Sequence, residues 1–139
     1  MVAEPTTILL VRRRESLHRR LLEMLRNCGL YVLELDTVEQ SRSLLRQRSV
    51  PLIFCEDRLE DGTYRDLLAA VQATRSAPPC VVVLSRTGEM RDYVEAMQSG
   101  AFDFLSPPYE WKQLEDILER ASRNRPLSSG PPLPKPRVA

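Results

Sequence analysis

Five short apolar runs alternate with five amphipathic stretches along this chain. The runs are Thr7–Val11, Tyr31–Leu35, Pro51–Cys55, Cys80–Leu84 and Phe102–Leu105. Each is continuous rather than alternating, the pattern of a strand covered on both faces. Between them apolar residues return at helical spacing. Leu17, Leu21, Leu22 and Leu25 share one face, Val38, Leu44 and Leu45 a second, and Tyr64, Leu67, Leu68 and Val71 a third. Met90, Val94 and Met97 predict a fourth helix, and Leu114, Ile117, Leu118 and Ala121 a fifth.

Punctuation supports these boundaries. Gly29 and Gly100 follow the first and fourth helices, where the chain leaves a helix through a left-handed residue. Asp36 is a suitable N-cap for the second helix. Pro51 opens the third strand, Pro78-Pro79 breaks the chain before the fourth, and Pro107-Pro108 stops the fifth. Alternating β and α elements with short connections predict an α/β fold, a parallel sheet wrapped by helices on both faces. Residues 1–123 hold this pattern as one domain. Residues 124–139 form a Pro-rich tail or linker, and the last fifteen residues hold five prolines with no helical or strand period. A PxxP match, Pro131 to Pro134, falls in that tail, and such matches are common there without function.

Charge and cysteine content remove several function classes. Twenty basic and nineteen acidic side chains leave a net charge of +1, so long-range electrostatics draws the chain to neither nucleic acid nor a membrane surface. No apolar stretch approaches the roughly 18 residues that a spanning helix needs. The polar start, MVAEPTT, has no signal-peptide core, and a cytoplasmic location is expected. Cys28, Cys55 and Cys80 are odd in number and widely spaced, which argues against disulfides and against zinc. The single histidine, His18, stands beside Arg19 and Arg20 on the first predicted helix and is expected at the surface.

Candidate chemistry gathers where the strands end, because open parallel sheets place their sites at the carboxyl edge. The first strand leads into Arg12-Arg13-Arg14, the third into Glu56-Asp57-Arg58, the fourth into Ser85-Arg86-Thr87 and the fifth into Ser106-Pro107-Pro108. Cations stand where carboxylates would be needed to hold a metal. No Gly-rich phosphate loop follows the first strand, which speaks against a small-molecule-binding domain.

Two motifs carry a family resemblance. Gly100-Ala101-Phe102-Asp103-Phe104-Leu105-Ser106-Pro107-Pro108 is similar to the Gly-Ala-x-Asp-Tyr/Phe-Leu-x-Lys-Pro segment of response-regulator receiver domains, and Leu59-Glu60-Asp61-Gly62 resembles their Leu-Pro-Asp-Gly. The likeness covers about residues 6–123. It implies a flavodoxin-like (βα)5 sandwich with strand order 2-1-3-4-5, in a bacterial two-component phosphorelay. It also implies roles by position. Leu59 sets the register and puts Glu56 at the phosphoacceptor position, with Asp57 as the rival. Arg12 and Arg13 take the places of the acidic pair that binds Mg²⁺, and Pro107 that of the lysine. Ser85 and Phe104 match the switch hydroxyl and the switch aromatic, and the Pro107–Pro108 bond is expected to be cis.

Metal site, acceptor and lysine are all altered together, which predicts a pseudo-receiver with no Mg²⁺, no cofactor and no enzymatic activity. Two arginines repel a hard cation, and phosphoryl transfer of this kind depends on one. Arg12 or Arg13 is instead expected to pair with Glu56, while Arg14 stays solvated. The alternative is an active acceptor that uses Glu56 or Asp57 with atypical metal binding. The resemblance implies protein partners, a histidine kinase or an output protein, or a homodimer through the fourth helix, fifth strand and fifth helix. Arg91, Glu95, Asp103, Trp111 and Glu115 are the candidates on that face. The tail is too short for a helix-turn-helix.

Overall fold

The computed structural model describes residues 5–74 and 77–127. Five strands form one parallel sheet: β1 (Thr7–Val11), β2 (Tyr31–Leu35), β3 (Leu52–Glu56), β6 (Cys80–Leu84) and β7 (Asp103–Leu105). Their order is β2-β1-β3-β6-β7, the expected 2-1-3-4-5 once a two-residue hairpin is set aside. That hairpin pairs β4 (Arg58–Leu59) with β5 (Gly62–Thr63). Five helices complete the chain: α1 (Arg19–Asn27), α2 (Val38–Gln47), α3 (Tyr64–Gln72), α4 (Met90–Gln98) and α5 (Trp111–Asn124).

Side-chain alternation along each strand feeds two separate cores. Ile8, Leu10, Leu52, Phe54, Val82 and Leu84 face one side, where α1 and α5 add Leu21, Leu25, Leu114 and Ile117. Leu9, Val11, Ile53, Cys55, Val81 and Val83 face the other, with Leu67, Leu68 and Val71 of α3 and Ala96 of α4. The continuous apolar runs follow directly, since both parities of each central strand are buried.

The structure corrects several expectations. Leu17 lies ahead of α1 and is 50% exposed, so the apolar face of α1 begins at Leu21. Thr37, not Asp36, caps α2, its side chain accepting from Gln40 N at 3.0 Å. Met90 and Val94 do not form a buried face on α4; Met90 is 73% exposed and Ala96 alone is buried there. A small residue at the contact lets α4 lie close to the sheet; Met97 packs beside it, while Met90, Tyr93 and Val94 are exposed. The third strand starts at Leu52 and runs through Glu56, and the last starts at Asp103. The Pro107–Pro108 bond is cis, as expected. The PxxP stretch and residues 128–139 of the tail lie outside the described residues; α5 itself continues to Asn124, and Leu127 packs against the α1–α5 core.

Candidate functional site

Glu56 ends β3 with the same parity as Phe54, so its side chain turns toward the α1–α5 side. Only 2% of it is exposed. The segment 12–18, between β1 and α1, closes over it. Arg13 N donates to Glu56 Oε1 at 2.8 Å, and Arg13 Nε stands 3.5 Å from Oε2. His18 Nε2 lies 3.3 Å from Oε1, within ion-pair distance but outside good hydrogen-bond alignment. Burial by itself raises the pKa of this carboxyl. Contacts with His18, the Arg13 N–H and Ser16 outweigh it, and the net effect holds Glu56 below its ordinary value.

Arg12 does not join this group. Its NH1 reaches Asp36 Oδ1 at 2.6 Å and its NH2 reaches Glu34 Oε1 at 3.2 Å. The parallel register explains the choice: Val11 pairs with Leu35, which brings the residues just beyond them side by side. Arg14 is largely exposed, as expected, but it has a partner: its Nε donates to Asp36 Oδ2 at 3.0 Å. That hydrogen bond, more than any other interaction, holds the Asp36 carboxyl below its usual range, with Arg12 adding to it. The arginine triplet therefore divides: Arg13 serves Glu56, while Arg12 and Arg14 clamp the end of β2.

Asp57 has the opposite parity. Its N donates to Leu84 O at 2.9 Å, which carries the strand pairing one residue further and turns the side chain toward α3 and α4. There it lines an open cleft with Arg58, Tyr64, Thr87, Asp92 and Phe104. Burial, with Glu56 next to it, holds its pKa above the ordinary value despite the Arg58 N–H. Neighbouring carboxyls thus lie in different environments, one capped and the other open.

A family model for the response regulator receiver domain matches residues 8–119. The chain belongs to this family. Among curated relatives it is similar to the response regulator protein PilR of Pseudomonas aeruginosa, 30% identical over 73% of this chain and 26% of that protein. It is also similar to the KDP operon transcriptional regulatory protein KdpE of Escherichia coli K12, 29% identical over 91% of this chain and 55% of that one. The chain thus spans about a quarter to just over half the length of these relatives. Among solved structures, full-length FixJ from B. japonicum superposes with a TM-score of 0.74 at 25% identity, covering 87% of this chain and 60% of that one. The receiver domain of a Pseudomonas aeruginosa sensor histidine kinase, solved with magnesium in its active-site cleft, gives 0.72 at 21% identity, covering 84% and 96%. The fold is the flavodoxin-like receiver fold of two-component systems, in which receivers engage histidine kinases and output domains.

The remaining receiver positions are occupied as follows. Ser85 is buried; its Oγ accepts from Gly88 N at 3.3 Å and lies 3.4 Å from the Thr87 hydroxyl. Phe104 is half-buried and meets Tyr93 edge-on, with ring centroids 5.8 Å apart. Pro107 carries no cation. Among the interface candidates, Trp111 is 46% exposed at the start of α5, and Arg91 and Glu115 are exposed. Glu95 pairs with Arg65 at 3.3 Å. Asp103 is held internally, pairing with Arg120 and accepting from its neighbour Phe104 N at 2.7 Å.

His18 corrects the sequence reading most. It stands ahead of α1 rather than on it, and its side chain is 12% exposed. Its Nδ1 lies 2.9 Å from the Tyr109 hydroxyl. Neither His18 nor Tyr109 belongs to a motif. The parity of Glu56 was the available signal, since it aims that carboxylate at the loops that precede α1 and α5.

Proposed function

We propose that this receiver works as a protein-interaction module without phosphorylation, in the cytoplasm, and that it is not an enzyme. The observation that carries this reading is the capping of Glu56: the carboxylate at the acceptor position accepts from Arg13 N at 2.8 Å and is 2% exposed. In-line transfer needs the phosphoryl group to reach the attacking oxygen from the side opposite its leaving group, and at Glu56 that oxygen is capped and buried.

The residues present do not fit a magnesium ion. Arg13 brings a fixed positive charge to the place where such an ion needs oxygens, and Arg12 supplies no oxygen there. Glu34 and Asp36 are committed to Arg12, and Glu56 to Arg13 and His18. Among the described residues, no group of three or more His, Cys, Asp or Glu is arranged to hold a metal. Glu56 thus has a counter-ion of the protein's own in Arg13.

The partners we propose are proteins: a histidine kinase, an output protein or a second copy, docking on α4, β7 and α5. Met90, Tyr93, Val94 and Trp111 are exposed there, and apolar or aromatic side chains of this kind anchor interfaces. No helix among the described residues is long and apolar enough to cross a membrane.

One observation favours a second reading, in which Asp57 is a relocated acceptor: it opens onto a cleft that also holds Thr87. Acetyl phosphate with Mg²⁺, followed by intact mass, separates the two. We expect no phosphoryl adduct on the wild type. An adduct that disappears in Asp57→Asn establishes the second reading, and one that disappears in Glu56→Gln overturns the capping argument.

A further inference from the structure

Two loops and a strand end meet at one imidazole. Glu56 ends β3, His18 ends the segment between β1 and α1, and Tyr109 lies between β7 and α5. His18 Nε2 is 3.3 Å from Glu56 Oε1, and His18 Nδ1 is 2.9 Å from the Tyr109 hydroxyl. Tyr109 is buried, and burial together with the charge on Glu56 pushes its phenol up to about 12, so the hydroxyl keeps its proton. A second bond ties the same loop to α1: Arg20 Nε donates to Tyr109 O at 2.8 Å.

We propose that His18 is a tether that transmits the state of Glu56 to the start of α5. It goes beyond the reading of Glu56 as a capped, unmodified carboxylate and rests on it. The backbone of His18 supports the assignment. It occupies the left-handed region at φ 44, ψ 42, which residues other than glycine seldom adopt. It stands at the N-cap of α1, where its carbonyl accepts from Leu22 N but its side chain makes no capping bond. Such a conformation persists where the surroundings fix the residue, and the His18 side chain is fixed between Glu56 and Tyr109.

Chemistry suits imidazole to the task. In the neutral form Nε2–H faces the carboxylate while Nδ1 accepts from the phenol; in the charged form both nitrogens carry protons and the link to Tyr109 reverses direction. The bridge survives in either form. Pro107 has no side-chain donor with which to reach Glu56 from the β7 side. Trp111 and Gln113 begin α5 only a few residues beyond Tyr109. A change at Glu56 that moves His18 therefore moves the entry to α5, on the face proposed for partners.

The test is a cycle read by amide hydrogen exchange at residues 109–114. Glu56→Gln is expected to speed exchange there severalfold in the wild-type background. In His18→Asn the same substitution should have no further effect. Asparagine tolerates the left-handed conformation and can cap α1, so this variant folds, but its side chain is too short to bridge. Tyr109→Phe keeps the ring in the core, loses the hydroxyl and should likewise block the response. If Glu56→Gln leaves residues 109–114 unchanged in the wild type, or alters them equally with and without His18, the tether is wrong. Acetyl phosphate labelling of the wild type is scored separately: an adduct on Glu56 would overturn the capped-carboxylate reading, whatever the exchange cycle returns.

Discussion

A carboxylate shut off from water must find its donors inside the protein, and Glu56 finds them in segment 12–18. Bonds to a charged acceptor contribute about 1.5–3 kcal/mol each, so Glu56→Gln should lower stability by about that much and Glu56→Ala by about 3–5 kcal/mol. The pH dependence has a definite sign. The folded pKa of Glu56 lies below its reference value of 4.5, so its stabilisation is complete above that pH and is lost as pH falls through the folded value. Urea midpoints measured from pH 7 down to pH 3 should therefore drop more steeply for the wild type than for Glu56→Gln. Asp57 has the opposite sign: its raised pKa makes the ionised form a cost in the folded state. Asp57→Asn should raise the midpoint at pH 7 and leave it little changed in acid. A wild type and a Glu56→Gln variant with parallel acid limbs would count against the bonding described for Glu56.

Between the residue and the whole lies the β4–β5 hairpin, which meets the starts of two helices. Asp61 accepts from Val38 N at 2.8 Å and Glu39 N at 3.1 Å, satisfying the start of α2 from another part of the chain. Asp66 accepts from Thr63 N at 2.9 Å and completes a capping box on α3. A Cβ at Gly62 would stand 2.3 Å from Asp66 Oδ2, so Gly62→Ala must displace that cap. Asp61→Ala and Gly62→Ala should each cost about 1 kcal/mol in urea unfolding, and the double variant should depart from their sum, because the two residues are adjacent and both bear on Val38. The Leu-x-Asp-Gly motif was visible in the sequence as a register mark, but its capping role was not, since no local pattern says that Asp61 serves α2. Strands and their order were legible because burial on both faces leaves continuous apolar runs. The α4 face was not legible: helical spacing of Met90, Val94 and Met97 cannot tell a core from an open docking face. Which of Arg12 and Arg13 would meet Glu56 was not legible for a related reason. The partners of Arg12, Glu34 and Asp36, become its neighbours only once β1 and β2 are in register.

Across the molecule, one sheet separates two apolar cores, and the chain's single tryptophan belongs to neither. Trp111 is 46% exposed at the head of α5, on the side where α4 leaves its own apolar residues uncovered. The chain therefore carries an intrinsic fluorophore whose emission follows surface occupancy rather than folding. Urea should shift its spectrum only slightly while far-UV circular dichroism collapses. A protein that docks on α4 and α5 should shift it to the blue with the circular dichroism unchanged. Partner titrations can then be followed without a dye or label, and a dimer formed through this face would show itself on dilution as a return of the emission to the red.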